Sequence, residues 1–392
     1  MKKALFVSRK FDLVGQSAPS RYFLDIVKRM ELLGYDISIA KLDFESYTKT
    51  KSLNLSFPYR LILPGFQNFF NYNLSLSYIF IFKWLYKFKK RPKYQRATEL
   101  IIKSEKRFLK KLSKTNYDVI FVDYFFLAEG LSFFFGKKII ITHDVWHQHY
   151  TVGKTKGYFG TLTSTEEKRL LSMADLVIAI SQRDRRIFEG LGMKATNVID
   201  LYPLIKVKRD ITSHLIQSRI RSTSIIFVGS NYRANVYGLE WFLEEVWPLI
   251  DNENIQLKVI GNVKKYINPE LTEKFNNVNF MGFVDDLSLY YDEAKFVISP
   301  LLEGSGVKIK NIEAIEYGLP IVTTSVGAQG LEHFKNQGMY IENTAREFAN
   351  RIDDFFMYSD MISKSLTLMN ERRIKVISQQ QNLSELQTFL DE

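Results

Sequence analysis

The feature that most constrains this 392-residue chain is an alternation of short apolar runs rich in β-branched residues with segments whose apolar residues recur every three or four positions. The runs open at Lys3–Ser8 and Asp36–Lys41 and continue at Asp118–Asp123, Lys138–Thr142 and Leu176–Ser181. Between the first two, Tyr22, Phe23, Ile26, Val27, Met30 and Leu33 share one helical face, Pro19 suits the first turn and Gly34 ends the helix. Strand, helix, strand at this spacing is a βαβ unit, and its repetition predicts an α/β protein with parallel sheets.

The alternation pauses at Tyr202–Arg221, where Pro203 and a polar, basic stretch predict a linker, residues 204–222, and then restarts. Ser224–Gly229, Gln256–Gly261, Val278–Met281, Phe296–Pro300 and Pro320–Thr323 read as strands of a second sheet. A helix around Tyr237–Ile250 is expected to bury Leu239, Phe242, Leu243 and Val246. The prediction is two Rossmann-like domains, residues 1–203 and 223–372, whose parallel sheets face a central ligand cleft. A polar tail, 373–392, carries Leu383, Leu386, Phe389 and Leu390 at helical spacing and offers a face that can pack back on the first domain.

The formal charge is +11, from 54 basic and 43 acidic residues, and almost all of the excess lies in one place. Between Glu45 and Glu99 there is no acidic residue and there are ten basic ones, seven of them from Lys83 to Arg96. In the same region, segment 61–96, Phe66, Phe70, Leu74, Tyr78, Ile81, Phe82, Leu85 and Phe88 follow helical spacing. A basic, aromatic amphipathic helix suits an anionic membrane surface, where each Lys or Arg contributes roughly 1 kcal/mol. The same residues also fit core aromatics under a solvated lysine face. Nucleic acid is not expected as a partner, because no nucleic-acid motif accompanies the charge.

Leu61–Phe82 is free of charge but holds Pro64, Gly65, Gln67, Asn68, Asn71 and Asn73, which argue against a membrane span. The apolar run Ala4–Val7 is too short for a secretory leader. A chain without cysteine has no disulfide, thiolate zinc site or cysteine nucleophile. The expected location is cytoplasmic, either soluble or peripheral on the inner face of the membrane.

The most informative stretch for chemistry is Ser299–Leu331. A strand enters a loop with Gly304, Ser305 and Gly306, and a helix is predicted from about Val307 to Tyr317, ended by Gly318. Small residues let a ligand approach the backbone, and a helix start offers N–H groups and a positive dipole end to phosphate. Lys310 and Glu313 lie three apart on one face, a cation for a diphosphate and a carboxylate for a diol such as ribose. A surface salt bridge between those two side chains is the plainer alternative.

The string Gly304–Thr324 (GSGVKIKNIEAIEYGLPIVTT) resembles the donor-binding signature of the glycosyltransferase group 1 family, retaining enzymes of the GT-B fold. The likeness extends to Val228–Asn235 (VGSNYRAN), Glu240–Pro248 (EWFLEEVWP), Met281–Asp286 (MGFVDD) and Ala174–Ser181 (ADLVIAIS). It implies a GT-B architecture and transfer of a sugar from a nucleotide-diphosphate sugar to a cell-surface glycan or lipid-linked acceptor. The donor is then a co-substrate, and no cofactor is required.

By position, the resemblance implies that Glu313 holds the donor ribose, that Lys310 faces the donor phosphates, and that Gly306 and Val307 offer backbone N–H groups. Arg233, with Ser230 and Asn231, is the counterpart of the family's phosphate-binding basic residues, and Gly282 and Phe283 of the segment receiving the base. Gly15, Gln16 and Ser17 resemble the family's loop near donor phosphate and acceptor. His143 is the candidate for sugar positioning and electrostatic assistance, with Asp144 orienting its tautomer or contacting the acceptor.

Ser305 departs from the pattern. Much of the family has a glutamate there, eight residues before the ribose-binding one, in contact with the transferred sugar, and Glu303 is out of register with it. That departure and the partly matched basic pair leave open a catalytically silent GT-B subunit that binds a glycan or protein partner. A nucleotide-sugar epimerase of related architecture is a further alternative with no separate motif. A metal site from His143, His147 and His149 with Asp144 is not expected, because such loop spacing is unspecific and a GT-B enzyme needs no metal bridging the donor phosphates.

Overall fold

The computed structural model describes residues 1–9, 18–42, 59–62, 105–148, 163–379 and 383–392. The basic aromatic segment 61–96 therefore lies outside the described residues from 63 onward, as do Gly15, Gln16, Ser17 and His149. The chain divides into two compact units, Met1–Pro203 with Leu383–Glu392, and Leu204–Asn382.

The first unit is built on a seven-stranded parallel sheet: β1 (Lys3–Ser8), β2 (Asp36–Lys41), β3 (Arg60–Ile62), β4 (Val119–Asp123), β5 (Lys137–Ile141), β6 (Leu176–Ala179) and β7 (Val198–Asp200). Their spatial order is β3-β2-β1-β4-β5-β6-β7. Ala4, Leu5, Phe6 and Val7 of β1 are all fully buried, as expected of a strand covered on both faces. Phe6 stacks on Phe121 of β4 at 4.3 Å between ring centroids and meets Phe23 of helix α1 (Ala18–Leu32) edge-on. The predicted helix face is the buried one, with Tyr22, Phe23, Ile26, Val27 and Met30 sealed from solvent.

The end of the chain returns to this unit. In helix Ser384–Asp391, Leu386 and Leu390 are buried, Lys137 donates to the carbonyl of Phe389, and Arg185 pairs with Glu385 at 2.9 Å.

The second unit holds β8 (Ser224–Val228), β9 (Gln256–Ile260), β10 (Val278–Gly282), β11 (Val297–Ser299), β12 (Ile321–Thr323) and β13 (Met339–Ile341), all parallel, in the order β10-β9-β8-β11-β12-β13. Ile225, Phe227, Leu257, Val259, Phe296 and Ile298 form its core with Leu239, Phe242, Leu243 and Val246 of the predicted helix. Both sheets and their helices give the α/β architecture expected from the alternation.

Residues 204–222 differ from the expected linker. They belong to the second unit and include helix α2 (Ser213–Arg221), capped by the Thr212 side chain. Arg219 is wholly buried and donates to the carbonyls of Tyr317 and Gly318. A basic residue that looked solvated serves as an internal tie. The predicted helix near Tyr237 starts earlier, as α3 (Arg233–Trp241), and continues through a π turn at Phe242–Val246. The helix after the glycine loop, α4 (Ile309–Glu316), starts two residues later than expected. Residues 373–379 complete the long helix α5 (Ser359–Gln379) of the second unit rather than opening the tail. Among the described residues no helix is long and apolar enough to cross a membrane.

Helix α3 lies hard against the end of β11. A Cβ on Gly238 would stand 2.4 Å from the Pro300 carbonyl oxygen, a backbone atom that cannot swing away. Gly238→Ala is expected to destabilise the second unit by about 1–3 kcal/mol, the usual cost of overpacking, despite alanine's better helix propensity. Urea unfolding followed by tryptophan fluorescence checks this, and an unchanged or raised midpoint would contradict the close approach.

Candidate functional site

In each sheet the strand order reverses once, between β1 and β4 in the first unit and between β8 and β11 in the second. Connections leave the two strands there in opposite directions, opening a crevice at the carboxyl ends. The sequence candidates distribute themselves around these two places.

In the second unit, β8 ends at Val228 and turns through Gly229–Tyr232 into α3. Gly261, at φ +108°, follows β9, and a Cβ on it would stand 2.2 Å from the Gly229 carbonyl oxygen, so the two turns lie against each other. Across the reversal, β11 leads into a loop in which Gly304 (φ +120°) and Gly306 (φ +71°) take backbone conformations that side chains disfavour. Two side-chain links tie this loop and α4 to the turn after β8. Arg233 Nε lies 3.0 Å from Glu303 Oε1, and Lys310 Nζ donates to Asn235 Oδ1 at 2.7 Å. Asn235 in turn donates to the Ser230 carbonyl at 3.2 Å. Thus Ser230, Arg233, Ser305, Gly306, Val307 and Lys310 gather at the reversal, and Asn231 adjoins them with a bond to the Tyr266 hydroxyl at 3.3 Å.

Lys310 is part-buried, with its Nζ 4.5 Å from the centroid of the Phe227 ring. Burial, and secondarily the Lys308 charge, pull its pKa down to about 7. Lys308 is spent on the loop itself, donating to the carbonyls of Ser305 at 3.1 Å and Gly306 at 2.7 Å. These bonds keep Lys308 extended as the N-cap, which delays α4 to Ile309. The backbone at the helix start is therefore that of Ile309 and Lys310, and Gly306 and Val307 belong to the preceding loop.

Lys310 and Glu313 do not form the surface bridge their spacing allows. Glu313 accepts from Lys208 Nζ at 2.9 Å and from the Tyr291 hydroxyl at 3.3 Å. Burial raises the Tyr291 phenol well above its ordinary range, so it stays a neutral donor. Glu316, one turn on and fully buried, accepts from the Lys206 backbone N–H at 2.9 Å and also meets Lys208. Gly282 (φ +71°) and the 67%-exposed Phe283 close β10, two strands from the reversal.

In the first unit, His143 follows β5. Its Nε2 lies 2.5 Å from Asp123 Oδ1, and Ser8 Oγ donates to Asp123 Oδ2 at 2.5 Å. The carboxylate bonded to His143 is therefore that of Asp123, not Asp144. His147 Nδ1 meets Glu167 Oε2 at 2.7 Å, and the same buried carboxylate accepts the backbone N–H groups of Trp146 and His147, both at 2.9 Å. The two described histidines of the loop thus go to separate carboxylates. Among the described residues no group of three or more His, Cys, Asp or Glu is arranged to hold a metal. Sequence reasoning missed Ser8, Asp123, Glu167, Lys208, Asn235 and Tyr291. The available signal for the first two was a polar residue ending a fully apolar strand.

Known proteins resemble this chain in part of its sequence and in its fold. Residues 222–357 match the family model described as Glycosyl transferases group 1. An uncharacterized 44.6 kDa protein in the cps region of Klebsiella pneumoniae is 31% identical over 162 residues, a match spanning 39% of this chain and 40% of that protein. Among solved structures, Anabaena Alr3699/HepE in complex with UDP and glucose superposes with a TM-score of 0.67 at 14% identity, covering 99% of this chain and 100% of that one. An S. aureus TarM variant in complex with Fondaparinux, alpha-GlcNAc-glycerol and UDP gives 0.72 at 12% identity, covering 100% of both chains. The family match is thus confined to residues 222–357, and the likeness to the solved structures shows that the two Rossmann-like units share the GT-B fold.

Proposed function

We propose that this chain transfers a sugar, with retention, from a nucleotide-diphosphate sugar of the UDP class to a hydroxyl of a cell-surface glycan or lipid-linked acceptor. The observation that carries the reading is the pairing, at one strand-order reversal, of a part-buried amine at a helix start with a carboxylate one turn deeper that is already held by two donors. In this reading Lys310, Arg233 and the first N–H groups of α4 receive the diphosphate, whose negative charge grows as it leaves the sugar. Glu313 accepts from the ribose diol with the lone pairs that Lys208 and Tyr291 leave unused. Ser230 and Asn231 line the turn beside the phosphates, and Gly282 and Phe283 receive the base. His143 is the first unit's group for contacting a sugar. Chemistry is then mainly orientation and leaving-group stabilisation, and the protein's own cations supply the latter without a cofactor. Two solved relatives in fold bind UDP, and that supports the choice of donor class. Retention is taken from the resemblance of Gly304–Thr324 to the group 1 donor signature.

Removing either charged contact should weaken the donor site by the 1.5–3 kcal/mol typical of a charge-assisted hydrogen bond, about ten- to hundredfold. Lys310→Ala and Glu313→Ala are therefore expected to weaken UDP binding in isothermal titration by that factor, and near-normal affinity in both would reject the site.

Lys310 also predicts a pH dependence. Its amine loses the proton near pH 7 in the unliganded site, whereas a bound diphosphate favours the ammonium form. UDP binding then takes up a proton above pH 7, and affinity falls as pH rises from 7 to 9, by at most about tenfold per unit. Titrations in buffers of different ionisation enthalpy measure the uptake. Lys310→Met should abolish it, and equal uptake in the variant would sink the assignment.

The basic aromatic segment 61–96 supports a second part of the proposal, in which the first unit works at the cytoplasmic, inner face of a membrane carrying the acceptor. Cosedimentation with anionic liposomes at low salt, lost at high salt, is the expected result. Protein left in the supernatant under both conditions would remove the membrane from the reading.

A further inference from the structure

The reversal in the first sheet contains a second constellation, assembled from three strand ends. Ser8 closes β1, Asp123 closes β4, and His143 lies two residues past β5. Ser8 is fully buried, and Asp123 and His143 are each 7% exposed. Both oxygens of Asp123 are engaged inward, one by the Ser8 hydroxyl and one by the imidazole, each at 2.5 Å. An ionised carboxylate only accepts hydrogen bonds, so the hydrogen between Asp123 and His143 sits on Nε2. The other ring nitrogen, Nδ1, has no hydrogen-bond partner among the described residues and is not among the buried polar atoms left without one, so it is open to a ligand. The neighbouring His147 also bonds through one ring nitrogen, Nδ1, but to the carboxylate that clamps the loop backbone.

The ring of His143 is fixed in orientation as well as in tautomer. Tyr124 stacks on it at 4.4 Å with planes 21° apart, and Tyr22 meets it edge-on at 5.3 Å. Tyr124 accomplishes this from a strained backbone, φ 65° and ψ 154°, a region occupied almost only by glycine. Holding a tyrosine there costs of order 1–3 kcal/mol. Glycine would make the same turn without strain but would leave one face of the imidazole uncovered.

Resting on the transferase reading above, we propose that Asp123, backed by Ser8, is a positioning residue: it fixes His143 in the Nε2–H tautomer and presents the Nδ1 lone pair as hydrogen-bond acceptor for a sugar hydroxyl of the substrate. Ser8 orients the carboxylate, Tyr124 covers the ring, and the hydroxyl donates to Nδ1. No proton changes hands in this role; the dyad sets the direction of one hydrogen bond.

The test uses the full chain. Long-range nitrogen–proton correlation spectra of protein labelled with ¹⁵N-histidine report the tautomer directly, and the His143→Gln spectrum assigns the signal. The expected result is a neutral ring protonated on Nε2. A ring protonated on Nδ1, or on both nitrogens, overturns the proposal whether or not the chain turns over a sugar nucleotide. Activity supplies the second readout, with UDP-glucose, UDP-galactose and UDP-N-acetylglucosamine as donor probes and UDP as binding probe. Asp123→Asn should lower kcat about 100-fold, the scale of a misplaced reacting geometry, with UDP affinity unchanged within about twofold.

His143→Gln should lose about as much, and the double variant no more than either, because both changes remove one function. Losses that multiply in the double variant, or an unaltered kcat in Asp123→Asn, would overturn the proposal. Ser8→Ala, which deletes one hydroxyl, is the milder second variant should Asp123→Asn fold poorly. It should weaken kcat in the same direction, and wild-type turnover in it would count against the relay. A loss in donor hydrolysis without acceptor assigns the hydroxyl to the donor sugar, and a loss confined to transfer assigns it to the acceptor. Wild-type protein that binds no UDP refutes the donor site of the second unit and leaves the tautomer result to decide Asp123 alone.

Discussion

Parallel strands need crossovers, and a sheet laid out from the middle needs its crossovers to change direction once. That constraint decides where this molecule can put chemistry. At β1 and β4, and again at β8 and β11, neighbouring strands send their chains to opposite faces of the sheet, so no helix covers the carboxyl ends between them. The residues found there are those a packed core would exclude: Ser8, Asp123 and His143 in one unit, Arg233, Glu303, Asn235 and Lys310 in the other. The strands that lead to them are apolar and buried, as the runs Ala4–Val7 and Ile225–Phe227 show.

The second constraint is electrostatic and concerns both ends of α4. Its last carbonyls are occupied: Arg373 donates to that of Glu316 at 2.6 Å and Arg219 to those of Tyr317 and Gly318. Burial draws the Arg219 guanidinium down to about 10, which still leaves it charged at neutral pH. Two cations at the negative end of the helix dipole stabilise the helix and anchor it to α2 and α5. Its other end is then held at a fixed place relative to the turn after β8, which is what a site made from two loops requires. The buried arginines therefore act on the candidate site without touching it.

How much of this was legible follows from the range of the interactions. Strands and the helix faces of Tyr22–Met30 and Leu239–Val246 were readable because burial leaves a periodic mark on neighbouring residues. The glycine loop at Gly304–Gly306 was readable because positive φ narrows the choice of residue. The links that define the sites join positions far apart in sequence, Lys310 to Asn235 and His143 to Asp123, and no local pattern encodes such a pairing. Asp144 is the partner for His143 that sequence suggests because it is adjacent, whereas the sheet brings the end of β4, with Asp123, beside the end of β5. The supposed linker failed for a related reason: composition cannot distinguish a solvated arginine from Arg219, whose partners are carbonyls about a hundred residues away.

The two cations at the second reversal differ in what it costs to redirect them. Arg233 is 46% exposed, and its pair with Glu303 is of the kind that contributes about 0–1 kcal/mol, so an anionic ligand can take the guanidinium over at small expense. Lys310 is another matter, because its amine lies on the Phe227 ring and gives a hydrogen bond to Asn235, itself nearly buried. Desolvation there disfavours the charged form until an anion arrives, so the attraction is concentrated in the occupied state. In the proposed donor site, one loosely held cation and one amine that is only partly protonated near pH 7 limit the positive charge held when empty, and both can turn to a diphosphate. Ser305 fits this arrangement, since a hydroxymethyl side chain adds no carboxylate to compete with the ligand beside Lys308 and Lys310, and the loop's acidic group, Glu303, is committed to Arg233.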